Sequence, residues 1–346
     1  MAQRPTIKDI ARIGKVSPTA VSMALNDRPG VSEKTKKRIR KIAKNIGYYP
    51  NYAARTLIGK CSKTIGLIVC NIADPFYTEL ASGVERITNE NGYSLILCNT
   101  NWSLDAEHQF IDVLRARGVD GIILATVQKN DACVQALAQD HFPFVLVNRL
   151  PMVPSLTNKL DYVVQDNFSG GYLGVEHLYR LGHDRIAIIG GDFNTSTGLR
   201  KADGARKAMN DFGLRVDAKL VVDCGYSRKK AYKTAKEFLA IKKRPTAFFC
   251  HDDNMALGVR EAILEKGLKI PDDIALMGFD DIDTASLTGI DLTTIAHNTA
   301  DMGEMGARIL IDKIEGVRHH MISKVVLEVK LVIRKSCGYQ LHGYVR

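Results

Sequence analysis

TIKDIARIGKVSPTAVSMALN, residues Thr6 to Asn26, reads as two short helices joined by a tight turn. Thr6 can cap the first helix, with Asp9 at the capping-box spacing. Ile7, Ile10 and Ala11 then recur on one helical face. Gly14, which tolerates a positive φ, ends that helix. Ser17 can cap the second helix, and Pro18 takes the first helical position, where a missing N–H costs nothing. Ala20, Val21, Ala24 and Leu25 fall on one side of it. Thr19, Ser22, Met23 and Asn26 fall on the other, a small and mostly polar face free to touch something. This is the form of a helix-turn-helix whose second helix enters a DNA major groove.

The next stretch supports that reading. Val31-Ser32 is an apolar residue followed by a cap. Ile39, Ile42, Ala43 and Ile46 give a helical stripe that Gly47 terminates. The remaining faces carry Lys34, Lys36, Lys37, Arg38, Arg40, Lys41 and Lys44. A charge run is usually only a solvated face, but here its location is informative. Residues 1–60 hold 14 Lys+Arg against 3 Asp+Glu, whereas the whole chain is only +10. The basic excess is therefore confined to the head, the footprint of a phosphate-binding module on an otherwise neutral protein.

At 346 residues the chain is too long for one core, and two or three domains are expected. Its 45% apolar content is that of an ordinary soluble protein. No apolar run approaches the ~20 residues that span a bilayer, and the N-terminus has no apolar segment to serve as a signal peptide. A cytoplasmic protein without a membrane partner is expected. Cys61, Cys70, Cys98, Cys133, Cys224, Cys250 and Cys337 form no CxxC pair, which fits reduced and mostly buried thiols. His177 and His183 flank a helix end and read as structural. No metal-ligand spacing, nucleophile–base set or phosphate-binding glycine loop is visible: Gly190-Gly191 and Gly170-Gly171 both lack the third glycine. The reading is a non-enzyme without cofactor or metal.

Between head and remainder, Pro50 breaks the chain, Asn51 can cap, and Gly59 can close a helix of about two turns. So short a helix is marginal in water, since isolated helices below ~12 residues rarely persist. From Thr64 onward the pattern alternates. TIGLIVC, SLILCN, GIILA, FVLVN, RIAIIGG, AFFC, IALMGF and LTTI are short apolar runs, with stripes such as Leu80, Ala81, Val84 and Ile87 between them. Near-continuous apolar strands alternating with helices mean parallel sheets covered on both faces. The length suggests two doubly wound parallel sheets behind a small all-α head. Open α/β sheets bind ligands at the carboxyl ends of their strands. The candidates there are Asn71, Asp74, Phe76, Tyr77, Asn101, Trp102, Asn148, Arg149, His251, Asp252, Asp253, Phe279, Asp280 and Asp281. Carboxylates, amides, one guanidinium and an aromatic face suit a hydroxylated ligand such as a sugar. Asp74 reads equally as a helix cap, and Asp253 as the cap of a helix beginning at Asn254. Trp102 can equally be core.

These segments together carry a resemblance. TIKDIARIGKVSPTAVSMALN, VSEKTKKRIRKIAKNIGYYPNYAARTL and IGLIVCNIADPFYTEL resemble the LacI/GalR family of bacterial transcription regulators, from Thr6 to about Ser336. The resemblance implies a homodimer bound to a near-palindromic double-stranded DNA operator. It implies a hinge helix at 51–60 that forms in the minor groove, with Leu57 matching a leucine wedge and Ala54 and Arg55 its neighbours. It implies a periplasmic-binding-protein core with three crossovers, expected near Asp161, Asp291 and Ile322. The resulting domains are residues 1–50, 51–60, 61–161 plus 291–322, and 162–290 plus 323–340. DNA contacts are expected from Thr6, Ser17, Pro18, Thr19, Ser22, Met23, Asn26, Asn51, Ala54, Arg55 and Leu57. Effector contacts are expected from Asn71, Asp74, Phe76, Tyr77, Arg149, Lys201, Asp252 and Asp280. The tail CGYQLHGYVR is too short and mixed for a heptad repeat, so a dimer is expected and not a tetramer.

The sequence departs from the family pattern in several places. Lys15 occupies the usual turn glycine, Ala20 a usual threonine and Met23 a usual arginine. Lys201, not Arg200, falls on the effector-contacting arginine. Asp252-Asp253 stands for Asn-Asp, and GIDLTT lacks a proline. These departures bear on operator sequence and ligand identity. Two further function classes compete with a ligand-gated regulator. A solute-binding protein of the same core fold lacks a reason for the basic head, and an enzyme lacks catalytic machinery.

Overall fold

The computed structural model describes residues 5–48, 61–215, 217–317, 321–339 and 343–344. They fall into two compact units, Met1–Ser62 and Lys63–Arg346. Asn51, Ala54, Arg55 and Leu57 lie outside the described residues.

The head consists of α1 (Ile7–Gly14), α2 (Pro18–Leu25) and α3 (Glu33–Asn45). Its start signals act as the sequence implies. Thr6 and Asp9 form the capping box, Ser17 accepts from the Ala20 N–H with Pro18 in the first turn, and Ser32 accepts from the Thr35 N–H. Ile10, Ala11, Val21, Ala24, Ile39 and Ala43 form the core. Each fully buried isoleucine contributes about 1.5–3 kcal/mol, which matters in so small a unit.

The turn differs from expectation. Gly14 stays helical, and Lys15 takes the left-handed conformation at φ 49° and ψ 47°. The basic stripe of α3 also divides. Lys36 is buried and pairs with Glu33 at 2.8 Å and Asp27 at 3.5 Å, while Arg38 donates to the Gly14 carbonyl at 3.0 Å. Lys34, Lys37, Lys41 and Lys44 remain exposed.

The second unit holds two six-stranded sheets. The first comprises β1 (Thr64–Val69), β2 (Ser94–Asn99), β3 (Gly121–Leu124), β4 (Phe144–Val147), β5 (Tyr162–Gln165) and β11 (Lys324–Leu327), in the order β11-β5-β4-β3-β1-β2. All its pairings are parallel. The second comprises β6 (Ile186–Gly190), β7 (Val221–Asp223), β8 (Ala247–Cys250), β9 (Ala275–Asp280), β10 (Thr293–Ala296) and β12 (Lys330–Val332), in the order β12-β10-β9-β8-β6-β7. Only β12 in that sheet runs antiparallel to its neighbour. Strand parity distributes the apolar residues to both faces. In β1, Ile65, Leu67 and Val69 join one core cluster and Ile68 the other. In β8, Phe248 and Cys250 face one cluster, Ala247 and Phe249 its opposite.

The crossovers fall later than expected. β5 and β11 belong to the first sheet and β10 to the second, so all three strands lie in the sheet opposite to the one assigned from sequence. The chain changes sheet after Gln165, after Ala296, and between Leu327 and Lys330. Asp161, near the first expected crossover, instead buttresses the first sheet: it accepts from the Ser323 N–H at 2.8 Å and from Lys313 Nζ at 2.7 Å. A buried parallel strand reads the same in either sheet, so periodicity could not assign it.

All seven cysteines are free thiols, five of them buried, with Cys61 exposed and Cys133 half-buried. Among the described residues no helix is long and apolar enough to cross a membrane, and no group of ligating side chains could hold a metal.

The first sheet also encloses Glu107, in the first turn of the helix Leu104–Ala116. It lies near Asp131, which caps the helix Ala132–Gln139. Burial, reinforced by the Asp131 charge, pushes the Glu107 carboxyl up to about 7. The folded protein therefore retains this proton where the unfolded chain, with a carboxyl near ~4.3, has lost it. That contribution to stability is complete below the unfolded value and is lost as pH rises through about 7. Glu107→Gln should raise the melting temperature at pH 8 by a few degrees, at roughly 2–4 °C per kcal/mol, with little change at pH 4. Thermal melts of both proteins across that range check this. A difference independent of pH refutes it.

Candidate functional site

The strand order of each sheet reverses beside its first strand, so the loops after β1 and β6 open a crevice at the carboxyl ends. Side chains from both sheets meet there. Asp74 caps the helix Pro75–Glu90 by accepting from the Phe76 N–H at 3.1 Å. Phe76 and Tyr77 follow in its first turn, packed edge to face with centroids 5.0 Å apart. Trp102 follows β2 in a left-handed conformation at φ 65° and stacks on Tyr226, which follows β7, with centroids 5.8 Å apart and planes 9° apart. Thr197, in the first turn of the helix Ser196–Asp211, lies 2.9 Å from the Tyr226 hydroxyl.

Arg149 lies just past β4 and is fully buried. Its guanidinium carbon is 5.1 Å from the Trp102 ring and 5.6 Å from Tyr226. Among the described residues its Nε and Nη1 have no hydrogen-bond partner. Beside it, Asn148 accepts from Gln165 Nε2 at 3.2 Å.

Lys201 is buried on the helix Ser196–Asp211. Gly171 allows the close crossing that seats it, since a Cβ there would lie 2.0 Å from the Lys201 carbonyl oxygen. The ammonium donates to the His251 carbonyl at 2.8 Å, lies 3.6 Å from Asp280 Oδ1, and sits 3.5 Å from the Phe279 ring centre. Burial pulls its pKa down, opposed by the charges of Asp280 and Asp252. Asp280 ends β9 at φ 106° and accepts from His297 Nε2 at 3.2 Å. Burial, with the Asp280 charge, pushes the Asp74 carboxyl up to about 6. The remaining cavity is about 30 Å³ and is lined by Asp74, Phe76, Tyr77, Arg149, Lys201 and Asp280, all expected, together with Trp102, Asn148, Gln165, Thr197 and Tyr226.

Two expected contacts are not among the lining residues. Asn71 spends its side-chain oxygen on the Ala73 N–H at 3.1 Å. Asp252, not Asp253, is the cap of the helix Asp253–Glu265, accepting from the Met255 N–H. Burial, with Asp74 and Asp280 near, pushes its carboxyl well up. Asp253 accepts from Thr294 Oγ1 at 2.7 Å and the Ile282 N–H at 3.0 Å, tying β10 and the loop after β9 to the helix start. Gln165, Thr197 and Tyr226 were missed. Gln165 is the polar end of the apolar run YVVQ, hidden by a crossover placed too early. Tyr226 follows a strand of only three residues. Thr197 sits in a polar run with no apolar marker.

In the head, the exposed side of α2 offers Ser17, Pro18 and Thr19, with Ser22 half-buried. Met23 and Asn26 partly serve the head itself. Met23 Sδ is 3.4 Å from where a Gly30 Cβ would stand, and Asn26 Nδ2 donates to the Ser22 carbonyl at 2.7 Å. Thr6 is exposed but holds Asp9 through the capping box.

A basic helix-turn-helix head and a two-sheet core with a polar cleft define a DNA-binding regulator of the ligand-responsive type. Residues 6–51 match the bacterial regulatory proteins of the lacI family, and residues 62–334 match the periplasmic binding proteins and sugar binding domain of LacI family. The chain belongs to the lacI family. It is 34% identical to the transcriptional repressor PurR of Photobacterium profundum over 335 residues, covering 96% of this chain and 98% of that protein. It is 32% identical to the transcriptional regulator DegA of Bacillus subtilis over 337 residues, with the same coverage. Among solved structures it is similar to the lac repressor dimer bound to operator and the anti-inducer ONPF, at 26% identity and TM-score 0.85, covering 97% of this chain and 99% of that one. It is also similar to the transcriptional regulator CelR in complex with cellobiose, at 28% identity and TM-score 0.74, covering 96% and 100%.

Proposed function

We propose that this chain is a cytoplasmic repressor that binds a near-palindromic operator as a homodimer and is controlled by a sugar or sugar derivative in the cleft. The observation that carries the ligand class is the cleft chemistry. Asp74 and Asp280 offer carboxylate oxygens, Arg149 has two unpartnered donors, and Phe76, Tyr77, Trp102 and Tyr226 supply aromatic faces. Carboxylates accept from hydroxyls, a guanidinium donates to ring or acid oxygens, and aromatic faces cover C–H surfaces. The cellobiose bound to the similar CelR supports this class. The stack of Trp102 on Tyr226 joins loops of the two sheets, so a ligand beside it biases the closure of the cleft.

Trp102 is the chain's single tryptophan, so its fluorescence reports on the cleft. A panel of sugars, sugar phosphates and nucleosides titrated against the protein should find a sugar that shifts its emission. Asp280→Asn should weaken that ligand at least about tenfold by losing a charge-assisted acceptor, and asparagine tolerates the positive φ. Unchanged affinity in the variant removes Asp280 from the site. A response only to nucleosides overturns the sugar assignment.

DNA binding should fall steeply with salt. Each phosphate neutralised by the exposed lysines adds about −0.9 to the slope of log K against log salt. A dimer using three such contacts per head gives a slope near about −5. A flat response in a filter-binding series excludes the proposed interface.

The role of Leu57 is proposed from the family resemblance. As a wedge in the minor groove, its side chain would hold an unstacked base step open, a step that costs a few kcal/mol. Alanine preserves helix propensity, so its effect isolates the apolar body. Leu57→Ala should lower specific operator affinity at least about tenfold and leave non-specific binding nearly unchanged, because the phosphate contacts survive. The loss should vary with the central base step, being smallest at a stiff one. If the variant matches the parent on operators with varied centres, residues 51–60 are only a tether.

A further inference from the structure

Positive charge in the second unit is concentrated in one run. Residues 227–244, SRKKAYKTAKEFLAIKKR, hold 8 Lys+Arg against the single acid Glu237. The other residues from 61 to 346 hold 26 Lys+Arg against 34 Asp+Glu. The run comprises the helix Arg228–Ala240 and the loop that leads from it to β8. The apolar side of the helix, with Ala231, Ala235, Phe238 and Leu239, is buried in the core of the second sheet. Arg228 and Lys236 turn to the neighbouring helix Asp253–Glu265 and pair with Glu261 at 3.2 Å and Glu265 at 3.1 Å. Those two carboxylates are thereby used up. Lys229, Lys230, Lys233, Lys242, Lys243 and Arg244 are all exposed, and among the described residues none of them has an ion-pair partner. A charge run is usually only a solvated face, but two features set this one apart. Arg228, Lys229 and Lys230 fill the first turn of the helix without an acid among them, where the helix dipole disfavours cations. The loop is also held in place: Arg185 Nε donates to the Lys243 carbonyl at 2.8 Å, and its Nη2 lies 3.1 Å from Asp217. The cations are presented on fixed backbone at a standing electrostatic cost.

We propose that this surface binds the phosphates of double-stranded DNA, so that one chain holds a second DNA segment besides the one at its head. Lys229 and Lys233 stand about 6 Å apart along the helix axis, at 1.5 Å per residue. They face outward toward a polymer that carries one negative charge per about 1.7 Å of its axis. Five of the six free cations are lysines, point charges that suit phosphate contact without reading of sequence. The two aromatic rings of the run are unavailable for stacking on unpaired bases. Phe238 is buried, and Tyr232 is half-buried with its hydroxyl donating to Glu265. A duplex therefore fits better than a single strand, whose binding relies on such stacking. An acidic protein fits less well, because protein interfaces are depleted in lysine and built on aromatic anchors.

The test maps lysine reactivity on the full chain. The protein is acetylated briefly, alone, with an excess of a long random-sequence duplex, or with poly-L-glutamate at equal charge, and each lysine is followed by mass spectrometry. The duplex should protect Lys233, Lys242 and Lys243 severalfold, together with head lysines such as Lys37 and Lys41, and leave Lys159 and Lys330 reactive. Poly-L-glutamate should protect the three core lysines less. Affinity gives the second arm. One variant combines Lys233→Gln, Lys242→Gln, Lys243→Gln and Arg244→Gln. A control of equal charge combines Lys159→Gln, Lys207→Gln, Lys324→Gln and Lys330→Gln. All eight positions are exposed, and both variants should match the parent in circular dichroism and gel filtration. On the random duplex, the first variant should lose about 0.9 in the slope of log K against log salt for each phosphate contact removed, and the control should keep the parent's slope. Protection confined to the head overturns the proposal. Equal protection by poly-L-glutamate overturns it too, and assigns the surface to an acidic protein. So does a patch variant whose slope equals that of the control.

Discussion

The ammonium of Lys201 is held out of water by a carbonyl oxygen, a carboxylate and the face of Phe279. Three buried carboxylates, Asp74, Asp252 and Asp280, lie near it, and the Asp280 charge adds to burial in raising the proton affinity of Asp74 and Asp252. Without a cation among them, that many carboxylates could not share a dry space, and removing one partner of a buried ion pair typically costs about 3–5 kcal/mol. Lys201 thus sets the terms on which the cleft can be both closed and acidic. Its position depends on backbone packing: Gly171 lets the helix that bears Lys201 come into direct contact, and the approach of Gly204 to the Phe168 carbonyl repeats the device. A lysine where the resemblance leads one to expect an arginine is therefore integrated in this chain and not a loose substitution.

The parts of this molecule that are legible in the sequence are those governed by local rules. The three caps of the head lie within a few residues of what they cap, and all were readable. Eight strands were readable as apolar runs, whereas β5, β7, β11 and β12, short or polar at alternate positions, were not read. The sheet each strand joins is a long-range property, and there the reading failed for β5, β10 and β11. The same division runs through the cleft. Phe76 and Tyr77 follow directly on a strong strand signal, whereas Tyr226 follows a short strand with half-buried residues. Asp252 and Asp253 were exchanged because two adjacent aspartates before a helix carry the same local signal. Only the contacts of Asp253 with Thr294 and Ile282, far along the chain, separate the cap from the brace.

The corrected crossovers join site to hinge. The chain leaves the first sheet directly after Gln165, which lines the cleft, and leaves the second sheet at His297, which donates to Asp280. Gln165, a cleft residue, is thus the last strand residue before the first passage between the sheets, and His297, bonded to the cleft residue Asp280, opens the second. Asp280 and Asn148 hold positive φ values of 106° and 65° beside those exits. For a non-glycine residue such a conformation is sustained only by its surroundings. A ligand that draws on Asp280 or displaces the Asn148 amide therefore reaches each of these crossovers through a single side-chain hydrogen bond, to His297 and to Gln165. The differential contacts that a population shift requires are available at the first and second crossovers, and the third, between Leu327 and Lys330, has only to follow.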